Sequence, residues 1–271
     1  MNEGKELAVN LSQEELLYLL SIFRLSTLPG LDGKMLEGMS EREMAVAAGT
    51  AQRALFARGF IFPDQNGKIE VEEAVVALVG ICALPSFSIV MEVATLKTAY
   101  GLYWHGTEHI SVEHVIVMPG IHKFRSLPQG LDLAGHVTGR LPGIAETPIS
   151  TQPAVTIDAG AFHQARDIAR DQSDPKKAEQ VLAKSGLPKG TAKSFATAMV
   201  NAQVTVTAAM IRHGRQGAKD EIEGGTAIFA SEGSYFLDIL GNVEPQSYEL
   251  RPLGSVQWHT WVKEQVERIT K

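Results

Sequence analysis

The chain has 271 residues, 44% of them hydrophobic and 21% charged, and a formal net charge of −6 at pH 7. Those proportions belong to a globular protein with enough apolar material for one large core or two smaller ones. The acidic balance disfavours nucleic acid or an anionic membrane as the main partner, because each needs a basic face. The single cysteine, Cys82, cannot form an internal disulfide and points to a reducing compartment, where it is expected to be a buried, inert thiol. The opening residues Met1-Asn2-Glu3-Gly4-Lys5-Glu6 lack a basic-then-apolar leader. No stretch reaches the roughly 18 apolar residues of a membrane span, so a cytoplasmic location is expected.

Ser12, with Glu15 three residues on, predicts a capped helix whose apolar face is Leu16, Leu17, Leu19, Leu20 and Phe23. Thr27-Leu28-Pro29-Gly30 ends it. Ser40 caps a second helix, with Glu41 and Glu43 in its first turn, and Gly59 closes it. Phe60-Ile61-Phe62 and Lys68-Ile69-Glu70-Val71 flank Asp64-Gln65-Asn66-Gly67, a strong hairpin signal. A helix followed by a small hairpin, here 60–71, is winged-helix-like. A helix over 72–83 ends before Pro85. Strands are expected over 87–93, 98–104, 109–118 and 121–125 as an antiparallel meander, followed by a short helix over 131–137. The stretch 139–157 holds Pro142, Gly143, Pro148 and Pro153 without periodicity, and reads as a linker between halves 1–138 and 158–271.

The second half opens with helices over 158–171, from Asp174-Pro175 to Gly186, and over 189–202. Strands over 204–211, 226–230, 235–240 and 247–253 follow, with 212–225 read as a polar loop. A closing amphipathic helix over 255–269 carries Val256, Trp258, Trp261, Val262, Val266 and Ile269.

Catalytic patterns are missing. No Gly-x-Ser-x-Gly elbow occurs, and the glycines at 30–38 and 214–225 fit neither a dinucleotide loop nor a P-loop. His105, His109, His114 and His122 fall close together, but Gly106 and Thr107 place a turn between the first two, and no cysteine or carboxylate pattern completes a metal site. They are expected to be surface or hydrogen-bonded histidines that make at most a mildly pH-sensitive edge. No cofactor and no catalytic residue is expected.

The chain repeats itself. Gly59 and Gly186 close helices 127 positions apart, Gly106 and Gly233 mark hairpin turns at the same offset, and Arg125 and Arg251 end strands 126 apart. The helix, helix, strands, helix order occurs twice, with one insertion in each copy. The expected fold class is therefore α+β, two quasi-repeated helix-plus-antiparallel-sheet units related by pseudo-two-fold symmetry. Aromatics gather at equivalent places: Tyr100, Tyr103 and Trp104 at one hairpin, Phe229, Tyr235 and Phe236 at the other. Core packing is their default role, yet Tyr and Trp also anchor protein interfaces. Tyr103, Trp104, Phe229, Tyr235, Trp258 and Trp261 are accordingly the candidate partner-binding residues.

Several segments together carry a family resemblance. They are the helix ending at Arg58-Gly59-Phe60-Ile61 with its hairpin, the strand entry Ala83-Leu84-Pro85-Ser86-Phe87, the helices around Ser185-Gly186-Leu187, the strand Gly224-Gly225-Thr226-Ala227-Ile228-Phe229 and the long last helix. In this organisation the chain resembles the EspG family, cytosolic chaperones of type VII (ESX) secretion. The resemblance implies a central antiparallel sheet flanked by helices. It also implies a non-enzymatic role, covering the hydrophobic tip of a helical client of the PE–PPE type. The alternative is a winged-helix DNA-binding regulator with a sensor domain, reading DNA through Arg42, Gln52, Arg53 and Arg58.

Overall fold

A computed structural model of the chain describes residues 7–25, 27–31, 38–141, 154–214, 218–231, 233–240 and 247–270. Two compact units divide it, Met1–Val90 with Gly101–Leu131, and Met91–Tyr100 with Asp132–Lys271.

The first unit begins with strand β1 (Ala8–Ser12), which runs directly into helix α1 (Gln13–Phe23). Ser12 Oγ accepts from the Glu15 backbone N–H at 3.2 Å, and Glu15 Oε2 accepts from the Ser12 N–H at 2.8 Å, so the capping box forms. Ser40 and Glu43 do the same for α2 (Glu41–Ala57). Gly59 then takes φ +71°, a value only glycine adopts freely, and turns the chain into β2 (Ile61–Pro63). The loop to β3 (Ile69–Val71) is longer than a two-residue Asn-Gly turn. Asp64 Oδ1 accepts from the N–H groups of Asn66 and Lys68 at 2.8 and 2.7 Å and closes it. After α3 (Glu73–Ala83) come β4 (Phe87–Thr95), β5 (Ala99–Gly106), β6 (Ser111–Met118) and β7 (Ile121–Ser126). The strand order is β1-β7-β6-β5-β4, with β1 antiparallel to β7. Leu16, Leu19 and Leu20 of α1 and Val75, Leu78, Val79 and Cys82 of α3 cover one face, over Val9, Leu11, Val112 and Phe124. Cys82 is fully buried, and burial pushes its thiol pKa far up, so it stays protonated.

The second unit holds α4 (Leu133–Gly139), β8 (Val155–Asp158), α5 (Ala159–Gln172), α6 (Pro175–Lys184), α7 (Lys189–Val200), β9 (Val204–Arg212), β10 (Glu221–Ala230), β11 (Gly233–Leu240), β12 (Ser247–Pro252) and α8 (Ser255–Ile269). Its strand order is β9-β10-β11-β12-β8. The two-residue period of a strand sorts its side chains into two layers. Ile228, Ala230, Tyr235, Leu237, Tyr248 and Leu250 meet Phe162 of α5, Leu182 of α6 and Phe195 of α7. Phe229 and Phe236 face the other way, toward Trp258 and Trp261 of α8. Gly225 lies where a side chain would not fit, since a Cβ there would approach the Leu237 carbonyl oxygen to 2.6 Å. Helix α4 packs on α8.

The element order β-α-α-α-β-β-β-β-α thus occurs twice, the first copy carrying the extra β2–β3 hairpin. Gly186 repeats the positive φ of Gly59. Arg125 and Arg251 each reach a carboxylate on the neighbouring strand, Glu113 at 2.7 Å and Asp238 at 3.2 Å.

Strand β1 is an element that no local signal announces. Two expectations need correction. Residues Val155–Asp158 form β8 within the stretch 139–157 expected to be a linker, whose Pro142, Gly143, Pro148 and Pro153 lie outside the described residues. The supposed loop 212–225 is strand at both ends, because Arg212 pairs with Glu221 and the ladder continues through Gly225 and Ala208.

Glu15 ties several elements of the first unit. Besides capping α1, both its carboxylate oxygens accept from Arg58 Nη1 at 2.9 Å, and Arg58 Nη2 donates to the Asn10 carbonyl of β1 at 2.6 Å. Arg58 also lies over the Phe60 ring at 4.4 Å. Replacing Glu15 by Ala removes cap and counter-ion together. Because Arg58 is partly solvated, the expected loss is about 2 kcal/mol. Glu15→Gln keeps an acceptor for the cap and is expected to lose less. Urea unfolding midpoints of both variants check this order.

Candidate protein-binding site

All six candidate aromatics lie inside. Trp104 and Trp258 are 0% exposed, and Phe229, Tyr235, Tyr103 and Trp261 only 3%, 6%, 7% and 8%. Adjacent residues on a strand point to opposite faces, which separates Tyr103 from Trp104. Tyr235 joins the α7 side, where its hydroxyl donates to Ser194 Oγ at 2.7 Å and its ring lies 5.1 Å from Phe195. Phe229, Trp258 and Trp261 do come together. Trp258 and Trp261 stack with centroids 5.2 Å apart and planes at 15°, and Phe236 sits 5.4 and 4.8 Å from them. The expectation of a sheet-face aromatic surface is therefore corrected to an aromatic core. Of the six, Trp261 also lines a concave surface.

That surface is an open groove of about 260 Å³ where β12 passes into α8. Leu253, Val256 and Trp261 supply its apolar walls, and Arg251, Gln257 and Glu264 its polar ones. Arg251 is held by Asp238 and by the Phe236 ring, 5.0 Å from its guanidinium. Val256 was assigned to the buried stripe of the last helix, yet it is 64% exposed. Its position explains this. It precedes Trp258 by two residues, about 200° around a helix, and so leaves the face formed by Trp258, Trp261, Val262 and Val266. Counting helix angle rather than hydrophobicity would have found it.

The first unit offers a second apolar groove, about 190 Å³, between Leu17 and Tyr18 of α1 and Met44, Ala47 and Ala48 of α2. Only Ala51 and Leu55 of α2 are buried. The basic residues of the DNA-reading alternative are not displayed as a set. Arg58 is committed to Glu15, Arg53 donates to Thr50 Oγ1 at 3.2 Å, and Arg42 stands between Glu41 and Glu43.

The four histidines are exposed or hydrogen-bonded, as expected, but three of them are buried. His109 is exposed in the β5–β6 turn, but His105 and His114 are 0% and His122 is 1% exposed. His114 Nε2 and His122 Nδ1 share a hydrogen bond of 2.9 Å, and His105 Nδ1 bonds Ser88 Oγ at 2.9 Å. Among the described residues no group of three His, Cys, Asp or Glu could hold a metal ion. Nor is any helix there long and apolar enough to cross a membrane.

No known family profile matches this sequence, and no curated protein does. Among solved structures, the fold is similar to that of the Mycobacterium tuberculosis type VII secretion system chaperone EspG5, solved in complex with a PE25–PPE41 dimer. The TM-score is 0.61 at 12% identity, over 97% of this chain and 95% of that chain. At this identity the likeness is one of fold. HtdX of the same organism aligns with a TM-score of 0.15 at 11% identity, over 92% of this chain and all of that one.

Burial of Trp258 against two phenylalanines and Trp261 makes it a structural anchor. Trp258→Ala is expected to cost about 3–5 kcal/mol. Its tryptophan emission, blue-shifted in the folded protein because all three tryptophans are buried, should redden at a lower urea concentration than that of the parent chain.

Proposed function

We propose that this chain is a non-enzymatic, chaperone-like protein of the cytoplasm that shields an apolar surface of a helical client. The observation that carries this reading is the fold likeness to EspG5 along nearly the whole of both chains. By the same likeness, the client is a PE–PPE-type pair. The groove at the β12–α8 junction suits an apolar client tip. Val256 and Trp261 make the contact, while Trp258 and Phe236 hold the Trp261 ring in place. Tyr235 serves the site indirectly by fixing β11 against α7, whereas Tyr103 and Trp104 are packing residues of the first unit. Aromatic residues in well-packed pockets are the usual energetic centres of interfaces, which favours Trp261 over the scattered exposed aliphatics.

The purified chain should form a stable complex with a PE–PPE-type heterodimer from its own genome, seen by size exclusion and calorimetry. Val256→Asp would bury an unpaired charge in that contact and is expected to weaken binding at least about tenfold. Val117→Asp, at an exposed position near the end of β6, should leave it unchanged. If every such heterodimer elutes separately, the chaperone reading is wrong. If binding survives Val256→Asp, the groove is not where the client sits.

A further inference from the structure

Buried histidines in the first unit form a cluster that the client-binding reading does not use. His114 lies at the centre of a stack, 5.0 Å from Tyr103, 4.5 Å from Phe124 and 5.2 Å from His122, with interplanar angles of 26°, 13° and 26°. His105 is 6.3 Å away. The register explains the assembly, since Tyr103, His114 and Phe124 are direct partners across β5, β6 and β7, and Leu11 of β1 sits opposite His122. The segment 27–31 lies over the stack so closely that a Cβ on Gly30 would be 2.8 Å from the Tyr103 ring and 3.2 Å from His114 Cε1.

We propose that this cluster is an acid-operated latch: protonation of its buried imidazoles releases the 27–31 segment and opens the helix-covered face of β5, β6, β7 and β1, leaving the second unit folded. The hydrogen bond between His114 and His122 needs one ring to donate and the other to accept. A doubly protonated pair has two donors and no acceptor, with two cations in contact. His114 Nδ1 and His122 Nε2 are buried without a hydrogen-bond partner, so a proton arriving there meets no acceptor. The faces of Tyr103 and Phe124 soften one charge, not two.

Among the described residues, the groups around the cluster do not supply the missing counter-charge. From β4 comes the Ser88 hydroxyl, bonded to His105. On β6, Glu113 points to the opposite face and is bound to Arg125. On β7, Lys123 alternates away from His122 and is exposed. On α1, Glu15 is paired with Arg58. On α3, Cys82 is a neutral thiol, and β1 presents Val9 and Leu11. Glu108 and His109 are exposed in the β5–β6 turn. The described segment 27–31 (Thr27-Leu28-Pro29-Gly30-Leu31) carries no ionisable side chain.

Burial holds His114 well below its usual pKa, with the neighbouring His122 and His105 adding to the effect, and burial lowers His122 as well. Both are therefore neutral in the folded state, while in the unfolded chain they titrate near ~6.5. Above that pH neither state binds the protons and stability is full. Below it the open state binds them more readily than the folded state, so opening is favoured as pH falls, by up to about tenfold per pH unit for each histidine.

Hydrogen exchange of the full chain at pH values of about 7.5 and about 5.5, corrected for intrinsic rates, tests this. Protection of 27–31, β1, β5, β6 and β7 should fall at least about tenfold at the lower pH, with β10–β12 unchanged. His114→Phe with His122→Leu should abolish the acid response. If that pair does not fold, His122→Gln keeps a donor and an acceptor without titrating and should reduce the response. Unchanged protection in the parent chain, equal loss in both units, or a full response in folded His122→Gln would each overturn the latch.

Discussion

In the second unit the sheet is covered on both faces, and that constraint governs most of what the unit looks like. Strands of antiparallel sheets commonly alternate apolar and polar residues because one face meets water. β10 and β11 instead present successive buried residues, Ala227 to Ala230 and Ser234 to Leu237, and feed two separate layers. Ile228, Tyr235 and Leu237 serve the α5–α7 layer, while Phe229 and Phe236 serve α8. Every aromatic on these strands is thereby claimed by packing. A contact with another protein has to be built at the margin of a layer, where β12 hands over to α8 and the Trp261 ring runs out of neighbours.

The same constraint explains how far the sequence could be read. Local signals were legible: the boxes Ser12/Glu15 and Ser40/Glu43, the Asp174-Pro175 start, Gly59 and Gly186, and the 60–71 hairpin all depend on residues within a few positions of one another. β1 and β8 were not legible. Each is short, and each is defined by a partner far along the chain, β1 by β7 and β8 by β12. The first half of β10 was hidden because Glu221, Ile222 and Glu223 alternate like a surface segment and Gly224-Gly225 read as loop, although Gly225 is there for the close approach of β11. The candidate site was half legible. Trp261 was named and reaches the groove, but the residue beside it, Val256, was credited to the core.

The repeated element order is accompanied by one repeated contact. Arg125 and Arg251 each bind a carboxylate one strand over, yet not in the same register: Glu113 is the direct cross-strand partner of Arg125, whereas Asp238 lies diagonal to Arg251, which faces Phe236. The copies therefore share a device and differ in its fit. The histidines mark a larger divergence. Where the first copy stacks Tyr103, His114 and Phe124 across three strands, the second copy fills its helix-covered face with Tyr235, Leu237 and Leu250, groups that carry no charge near neutrality.

Cys82 has a practical meaning beyond its place under β6 and β7. A thiol with no exposed surface and a strongly raised pKa offers almost no thiolate to an alkylating reagent, and thiolate is the reactive form. While folded, the chain is in effect a cysteine-free background. A cysteine introduced at an exposed position such as Val256 would be the one fast-reacting thiol, and labelling of Cys82 itself would report opening of the first unit's core.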